Sequence, residues 1–354
     1  MSAATKFLIG LLAGAVGVIL CLATLFVGLD VTGALKAPPF ANRMSFDEKL
    51  RVMRDHPPGD LRVLFVGSST TLHGLDGEVL RAELGLDGDL LNLGVQDLRV
   101  NQIKFLSDVF LPQYSHVNHV VMVSTLLDVK NCGSVSTEFF NPTDVIDYIS
   151  GSVPEIYYYF RYLDLQGALK RAREMQHLRT TIHDLESVSF DAYGSLLLEV
   201  PREGVIDRVW YGDPITLDPP CYQSLHALAE DLRQRGIAFT FVIAPMRPGY
   251  LTGRDPDGSL LAAHRAKVRQ ALDGTGAVVI DAHAALAMPE EAFFDAYHLN
   301  RDKAQMLTRY VGEQMTTLTA DPNRNQPVKP ASALTQAPAG AGHKHLRAGI
   351  ADRG

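Results

Sequence analysis

The chain has 354 residues, 46% hydrophobic and 21% charged, a balance that excludes wholesale disorder and suits two domains or one domain with insertions. Its net charge of −7 excludes a general nucleic-acid binder, which carries a basic surplus. Mean hydropathy is +0.02, high for a soluble enzyme, and the excess is concentrated at one end. After a short tail, residues 1–6, comes an uncharged run, FLIGLLAGAVGVILCLATLFVGL, at 7–29. In helical form it spans roughly 35 Å, enough for a bilayer core, and a single such run excludes a multi-span transporter. A signal peptide is the competing reading. Its apolar core is usually about 7–15 residues, and Asp30–Ala34 makes a weak cleavage site, so we expect an uncleaved anchor. Lys36, Arg43, Lys49 and Arg51 follow the run while Lys6 alone precedes it, so charge counting would place the rest in the cytoplasm. Gly10 and Gly14 form a small-xxx-small pair, read either as a helix-packing face or as lipid-facing residues.

Residues 30–60 read as a connector, broken by Pro38 and Pro39, with a short amphipathic helix over Phe46–Arg54. Residues 61–320 read as one α/β domain, and 321–354 as a disordered tail rich in Pro, Ala and Gly. Apolar runs bounded by turn residues predict strands at Val63–Val66, Leu90–Leu93, His119–Val123, Ala238–Ile243 and Ala277–Ile280. Between them, periodic patterns predict helices over Gly77–Leu84, Val100–Val109, Ser224–Gln234 and Leu260–Leu272, with a last helix at Lys303–Thr317. Strand–helix alternation predicts a doubly wound parallel sheet of about five strands. The rhythm breaks at residues 132–220, which hold Tyr157–Tyr162, a charged helical run at Asp164–Glu186 and a turn-rich part around Tyr211–Pro220. We read this stretch as a largely helical insertion, or cap, between the third and fourth strands. Cys132 and Cys221 lie at its two ends, where a disulfide would staple the insertion to the sheet; the other reading is two free thiols.

Open parallel sheets bind ligands at the carboxyl ends of their strands. The residues there are Gly67-Ser68-Ser69, then Asn92-Leu93-Gly94, then Ser124, Thr125 and Asp128, then Arg247, and finally Asp281 and Asp295-Ala296-Tyr297-His298. A serine hydroxyl becomes a competent nucleophile when a base removes its proton, and an acid three residues from a histidine can orient that base. Ser69, His298 and Asp295 supply these three types. Ser68 is expected to fill a turn hydrogen bond, and His73 to be a surface turn residue. Arg247 is a candidate for holding an anionic or sugar substrate, with a salt bridge as the other reading. Asp281 and His283 are a rival acid–base pair, and with Asp295 and His298 they raise a metal alternative. We expect no metal and no cofactor, since no metal-binding spacing such as HExxH or CxxC is present and the only HxH, His343-Lys344-His345, lies in the tail. Cys21 lies within the apolar run.

VLFVGSS at 63–69, NLG at 92–94 and DAYH at 295–298, in this order, resemble the SGNH (GDSL-like) hydrolase superfamily. The likeness is nearest to its membrane-anchored branch, which includes the teichoic-acid D-alanylation and alginate O-acetylation proteins. The resemblance covers roughly residues 61–315 without the insertion and implies a flavodoxin-like fold. It also implies Ser69 as nucleophile, Asp295 and His298 as acid and base, and an oxyanion hole from the N–H groups of Ser69 and Gly94. Two departures stand out. Ser68 replaces the usual Asp, and the third block reads Ser124-Thr125-Leu126-Leu127-Asp128 without the usual Asn, leaving Thr125 as the candidate replacement donor. One such donor is worth about 3–4 kcal/mol.

The resemblance implies a single-pass protein of the cytoplasmic membrane whose domain faces the periplasm or exterior, against the charge count. It would be an O-acyltransferase or esterase acting on a cell-surface polysaccharide or an acyl-carrying substrate, beside a multi-span membrane O-acyltransferase. The alternative is a non-catalytic glycan-binding or scaffolding partner of such an acyltransferase.

Overall fold

The computed structural model describes residues 1–85, 89–181, 185–199 and 215–320. The turn-rich stretch expected around Tyr211–Pro220 lies partly outside these residues, and the tail expected to be disordered lies wholly outside them.

The chain opens with a long apolar helix, α1 (Ala3–Val31), capped by the Ser2 side chain. Among the described residues it is the one helix long and apolar enough to cross a membrane. The rest alternates strand and helix. The order is α2 (Met44–Asp55), β1 (Leu61–Gly67), α3 (Ser69–Gly74), α4 (Gly77–Leu84), β2 (Asp89–Asn92), α5 (Val100–Phe110) and β3 (His119–Ser124). The inserted stretch contributes α6 (Pro142–Ile149), α7 (Glu155–Arg161), α8 (Leu165–Arg171) and α9 (Met175–Thr180). The chain then closes with α10 (Pro219–Gln234), β4 (Ala238–Ile243), α11 (Pro248–Arg254), α12 (Ser259–Leu272), β5 (Val278–Asp281), α13 (Ala282–Leu286) and α14 (Arg301–Ala320). The expected charged helical run over Asp164–Glu186 is two short helices, α8 and α9, rather than one.

The five strands form one all-parallel sheet in the order β2-β1-β3-β4-β5. Strands buried on both faces read as continuous apolar runs, which is why FVG and VVMVS signal so clearly. Their period of two divides the core. Leu64, Val66, Val120, Met122, Phe239 and Phe241 face one cluster, shared with α5, α10 and α12. Val63, Phe65, Val121, Val123 and Val242 face the other, shared with α4 and α14.

The segment between α1 and β1 is packed into the core rather than strung beside it. Phe46, Leu50 and Met53 of α2 join the first cluster. Its polar groups are fixed too. Glu48, buried, accepts from the Ala37 N–H at 2.6 Å and takes both arms of Arg179, whose other donors reach the Gly33 and Leu35 carbonyls. Two ends of the inserted stretch meet through a Cys132–Cys221 disulfide with Cα atoms 5.2 Å apart.

Candidate active site

In this strand order the winding reverses between β1 and β3, so the crevice for a ligand opens at their carboxyl ends. Ser69 sits there, at the first position of α3, half-buried. Two packing devices hold the turn. A Cβ on Gly67 would stand 1.8 Å from the Thr71 hydroxyl oxygen, so only glycine lets α3 fold back this closely on β1. That hydroxyl in turn donates to the Val123 carbonyl at 2.8 Å and ties α3 to β3. Ser68 behaves as expected: buried, it caps α3 by accepting from the Thr70 N–H at 3.3 Å.

The Ser69 hydroxyl lies 2.8 Å from His298 Nε2, and His298 Nδ1 lies 2.7 Å from Asp295 Oδ2. A carboxylate beside Nδ1 fixes the proton there and leaves Nε2 as the acceptor for the serine proton. Asp295 Oδ1 accepts from the Tyr297 and His298 N–H groups, both at 2.9 Å. The spacing of three therefore works through an Asx-type turn rather than a turn of helix. A Phe293–Leu299 bridge closes the loop, and Phe294 N–H donates to the His298 carbonyl at 2.7 Å. Asp295 is buried, which pushes its carboxyl up. The imidazole charge and the hydrogen bonds outweigh that burial and hold it at about 2.

The two other expected oxyanion donors are engaged elsewhere. Gly94 N–H donates to Asn92 Oδ1 at 2.8 Å. Its lack of a side chain serves packing instead, since a Cβ there would come 2.5 Å from the Leu72 backbone nitrogen of α3. Asn92 also donates to the Thr71 carbonyl and the Ser195 hydroxyl, so NLG is a brace beneath α3. Thr125 is fully buried; its N–H donates to Asp128 Oδ2 at 3.1 Å and its hydroxyl accepts from Leu127 N–H. Neither Gly94 nor Thr125 borders the cavity, whereas Ser69 does, and no acceptor for the Ser69 N–H is found among the described residues. Asp128 is buried beside Ser68. Burial raises its carboxyl, opposed by bonds from the Ser68 hydroxyl, the Thr125 N–H and the Ser124 hydroxyl.

The cavity measures about 280 Å³ and is bordered by Ser69, His298, Gln96, Arg99, Lys130 and Tyr297, among others. Leu185 closes it from the inserted stretch, as a cap residue would. Sequence reading missed Gln96, Arg99 and Lys130, which lie in loops without a motif. Arg247 does not border the cavity; it pairs with Glu290 at 2.5 Å, which takes the salt-bridge reading. Asp281 is held by Arg265 at 2.7 Å, and His283 Nδ1 accepts from the Met246 N–H at 3.2 Å, so the rival pair is occupied structurally. No group of three or more His, Cys, Asp or Glu with metal-ligand geometry is found among the described residues.

His73 overturns its expected place at the surface. It is fully buried, with its ring edge-on to His298 at 5.0 Å. Its Nδ1–H donates to the Leu196 carbonyl at 2.6 Å, and Nε2 is buried without a hydrogen-bond partner among the described residues. Burial, with the neighbouring His298 charge adding to it, lowers its pKa to about 3. The signal was available: at the fifth position of α3, one turn beyond Ser69, His73 shares the serine's helical face.

No protein-family model matches the chain, and no curated protein matches it.

Proposed function

We propose that this protein is a membrane-anchored, extracytoplasmic acyl-transfer enzyme of the SGNH-like type, an O-acyltransferase or esterase acting on a cell-surface glycan. The observation that carries this reading is the continuous chain from Ser69 Oγ to His298 Nε2, 2.8 Å, and from Nδ1 to Asp295, 2.7 Å. It stands at the sheet's switch point beside a cavity large enough for an acyl group and part of a sugar. The anchor reading rests on the length and apolarity of α1.

In this reading Ser69 Oγ attacks the acyl carbonyl while its proton passes to His298 Nε2. The new Oγ–C bond forms, the donor C–O bond breaks, and the proton moves from Nε2 to the departing oxygen. A sugar hydroxyl, or water in an esterase, then gives its proton to Nε2 and attacks the acyl carbon; the Oγ–C bond breaks and Nε2 returns the proton to Ser69 Oγ. Asp295 holds the imidazole in the working tautomer and stabilises its cation. The Ser69 N–H, at the start of α3, points its dipole to the developing oxyanion.

A second reading is favoured by one observation: the Gly94 and Thr125 N–H groups are both committed to internal acceptors. A site with one oxyanion donor would suit a non-catalytic glycan-binding partner of a multi-span acyltransferase. Turnover of a small acetyl ester separates the two. The enzyme reading predicts hydrolysis that is lost in Ser69→Ala while the fold is retained, with acetyl transfer to added sugar acceptors if the protein is a transferase. No turnover above buffer by the wild-type chain, under any acceptor, would favour the partner reading.

A further inference from the structure

We propose that α7 and α8 form a lipid-facing platform that lies in the outer headgroup region of the bilayer, beside the point where α1 leaves it. The inference rests on the reading of α1 as a membrane span. The bilayer is the committed occupant because the platform is physically continuous with that helix. Phe26, near the end of the apolar run, is buried against the inserted stretch, with its ring stacked on Tyr159 at 5.0 Å and edge-on to Phe160 at 6.3 Å. Leu22 and Leu29, on the same face of α1, join Phe26, Tyr159 and Ala168 in one apolar cluster. The inserted helices therefore meet α1 at the depth where a span ends.

A polar layer marks the next level outward. Arg51 reaches Asp30 at 3.4 Å, Glu155 at 2.9 Å and the Tyr159 hydroxyl at 2.8 Å, and that hydroxyl donates to the Lys36 carbonyl. Tyr159 thus has its ring against Phe26 and its hydroxyl in the polar layer, the disposition of an interfacial aromatic.

The exposed apolar side chains are concentrated in the same place. C-terminal to α1, the large hydrophobic residues exposed in the described chain are Ile156, Tyr157, Phe160, Leu163 and Leu169, at 36–51%, and Met306. Five of these six lie on α7, α8 or the turn between them, the same stretch whose Tyr159 and Phe160 rings pack against Phe26. A water-facing surface has no reason to gather its apolar residues against the end of a membrane helix, whereas an interfacial one does. Lys170, exposed at the end of α8, is placed for anionic headgroups. A platform of this kind fixes the domain's tilt on the membrane, which two-point attachment does and a single helix does not.

The test uses the full chain reconstituted in phosphatidylcholine–phosphatidylglycerol vesicles, with Trp210→Phe as background. Single tryptophans replace Ile156 or Leu169 on the platform, Ile19 within α1, or Met306 on α14. Brominated acyl chains quench tryptophan only within reach of the bilayer. We expect Ile156→Trp and Leu169→Trp to lose about half their emission with shallow bromines, as befits side chains about 5–10 Å into the interface, while Met306→Trp is unaffected. Quenching at Ile19 with none at either platform position overturns the inference and leaves the anchor standing. Blue-shifted but unquenched platform emission places a second copy of the protein there and also overturns it. No quenching at Ile19 removes the anchor and overturns the inference with it. Tyr157→Trp, a conservative exchange, repeats the platform reading if either aliphatic replacement disturbs folding.

Discussion

In the proposed chemistry Ser69, His298 and Asp295 act as a unit. Ser69→Ala and His298→Ala should each lower acetyl-ester turnover by about 10⁴-fold or more, and the double variant should be barely worse than either single. His283→Ala, whose ring serves the Met246 N–H, should leave turnover largely intact. A dead His283→Ala beside an active His298→Ala would reassign the site. The DAYH motif was legible because an Asp and a His three apart imply a local pairing whatever the backbone does. The turn that achieves it was not legible, since helix and Asx turn serve the same spacing. His73 was missed because the six-residue helix α3 is not among the helices predicted from sequence, so its spacing of four from Ser69 went unread. Its burial has a thermodynamic consequence. His73 is held neutral with a pKa of about 3, against an ordinary value of 6.5, so between those pH values the unfolded chain binds the extra proton. Stability must therefore fall as pH drops from about 6.5 towards 3, with a slope approaching 1.4 kcal/mol per pH unit from this residue. His119, half-buried, and His264, buried, are both lowered to about 4 and add to the same acid limb. Urea unfolding at pH 6.5 and 4.5 should show a shallower loss for His73→Phe than for wild type; an unchanged slope would contradict the burial.

At the level of elements, strands were the most readable, because β1, β3 and β4 are buried on both faces and show as unbroken apolar runs. The helix over Gly77–Leu84 was equally plain, with Asp76 capping its start and Gly85 ending it in the left-handed conformation. Oxyanion donors were less readable, since whether a backbone N–H is free depends on side chains such as Asn92 and Asp128 that fold back upon it. The pairing of residues 30–60 with the inserted stretch was invisible, because it is made by long-range polar contacts. Arg179 and Glu48 are 131 positions apart. Arg179→Ala would strand a buried carboxylate and should cost about 3 kcal/mol in unfolding free energy, whereas Arg179→Lys should recover only part, lacking the planar fork. A loss below a few tenths would show the clamp to be inert. The Cys132–Cys221 disulfide closes a loop with a sequence separation of 89. Replacing both cysteines by serine should destabilise the chain by about 4 kcal/mol in the chain-entropy model, and an unreduced digest should yield the linked peptide. Full thiol labelling of both residues without reductant would remove the staple.

For the whole molecule, the sequence presents two conflicting signs of orientation: the charge count after the apolar run and the extracytoplasmic character of the motifs it resembles. A disulfide between Cys132 and Cys221 fits an oxidising compartment and sides with the second. A C-terminal alkaline phosphatase fusion should accordingly be active and a fluorescent-protein fusion dark; the opposite pair of results would remove the surface-glycan reading. The architecture joins these levels. The parallel sheet sets the crevice, α3 presents the serine, the Asx turn before α14 presents the histidine, and the inserted stretch reaches both the cavity, through Leu185, and the end of α1, through Tyr159. The central claim is that Ser69 is a nucleophile activated by His298. The measurement that tests it most directly is covalent labelling of the full chain with a serine-directed fluorophosphonate, followed by peptide mapping. One phosphonylated serine is expected, on the peptide containing Ser69, with labelling lost in Ser69→Ala and strongly slowed in His298→Ala. Labelling that persists in Ser69→Ala, or a wild-type chain that takes up no label at all, would contradict it.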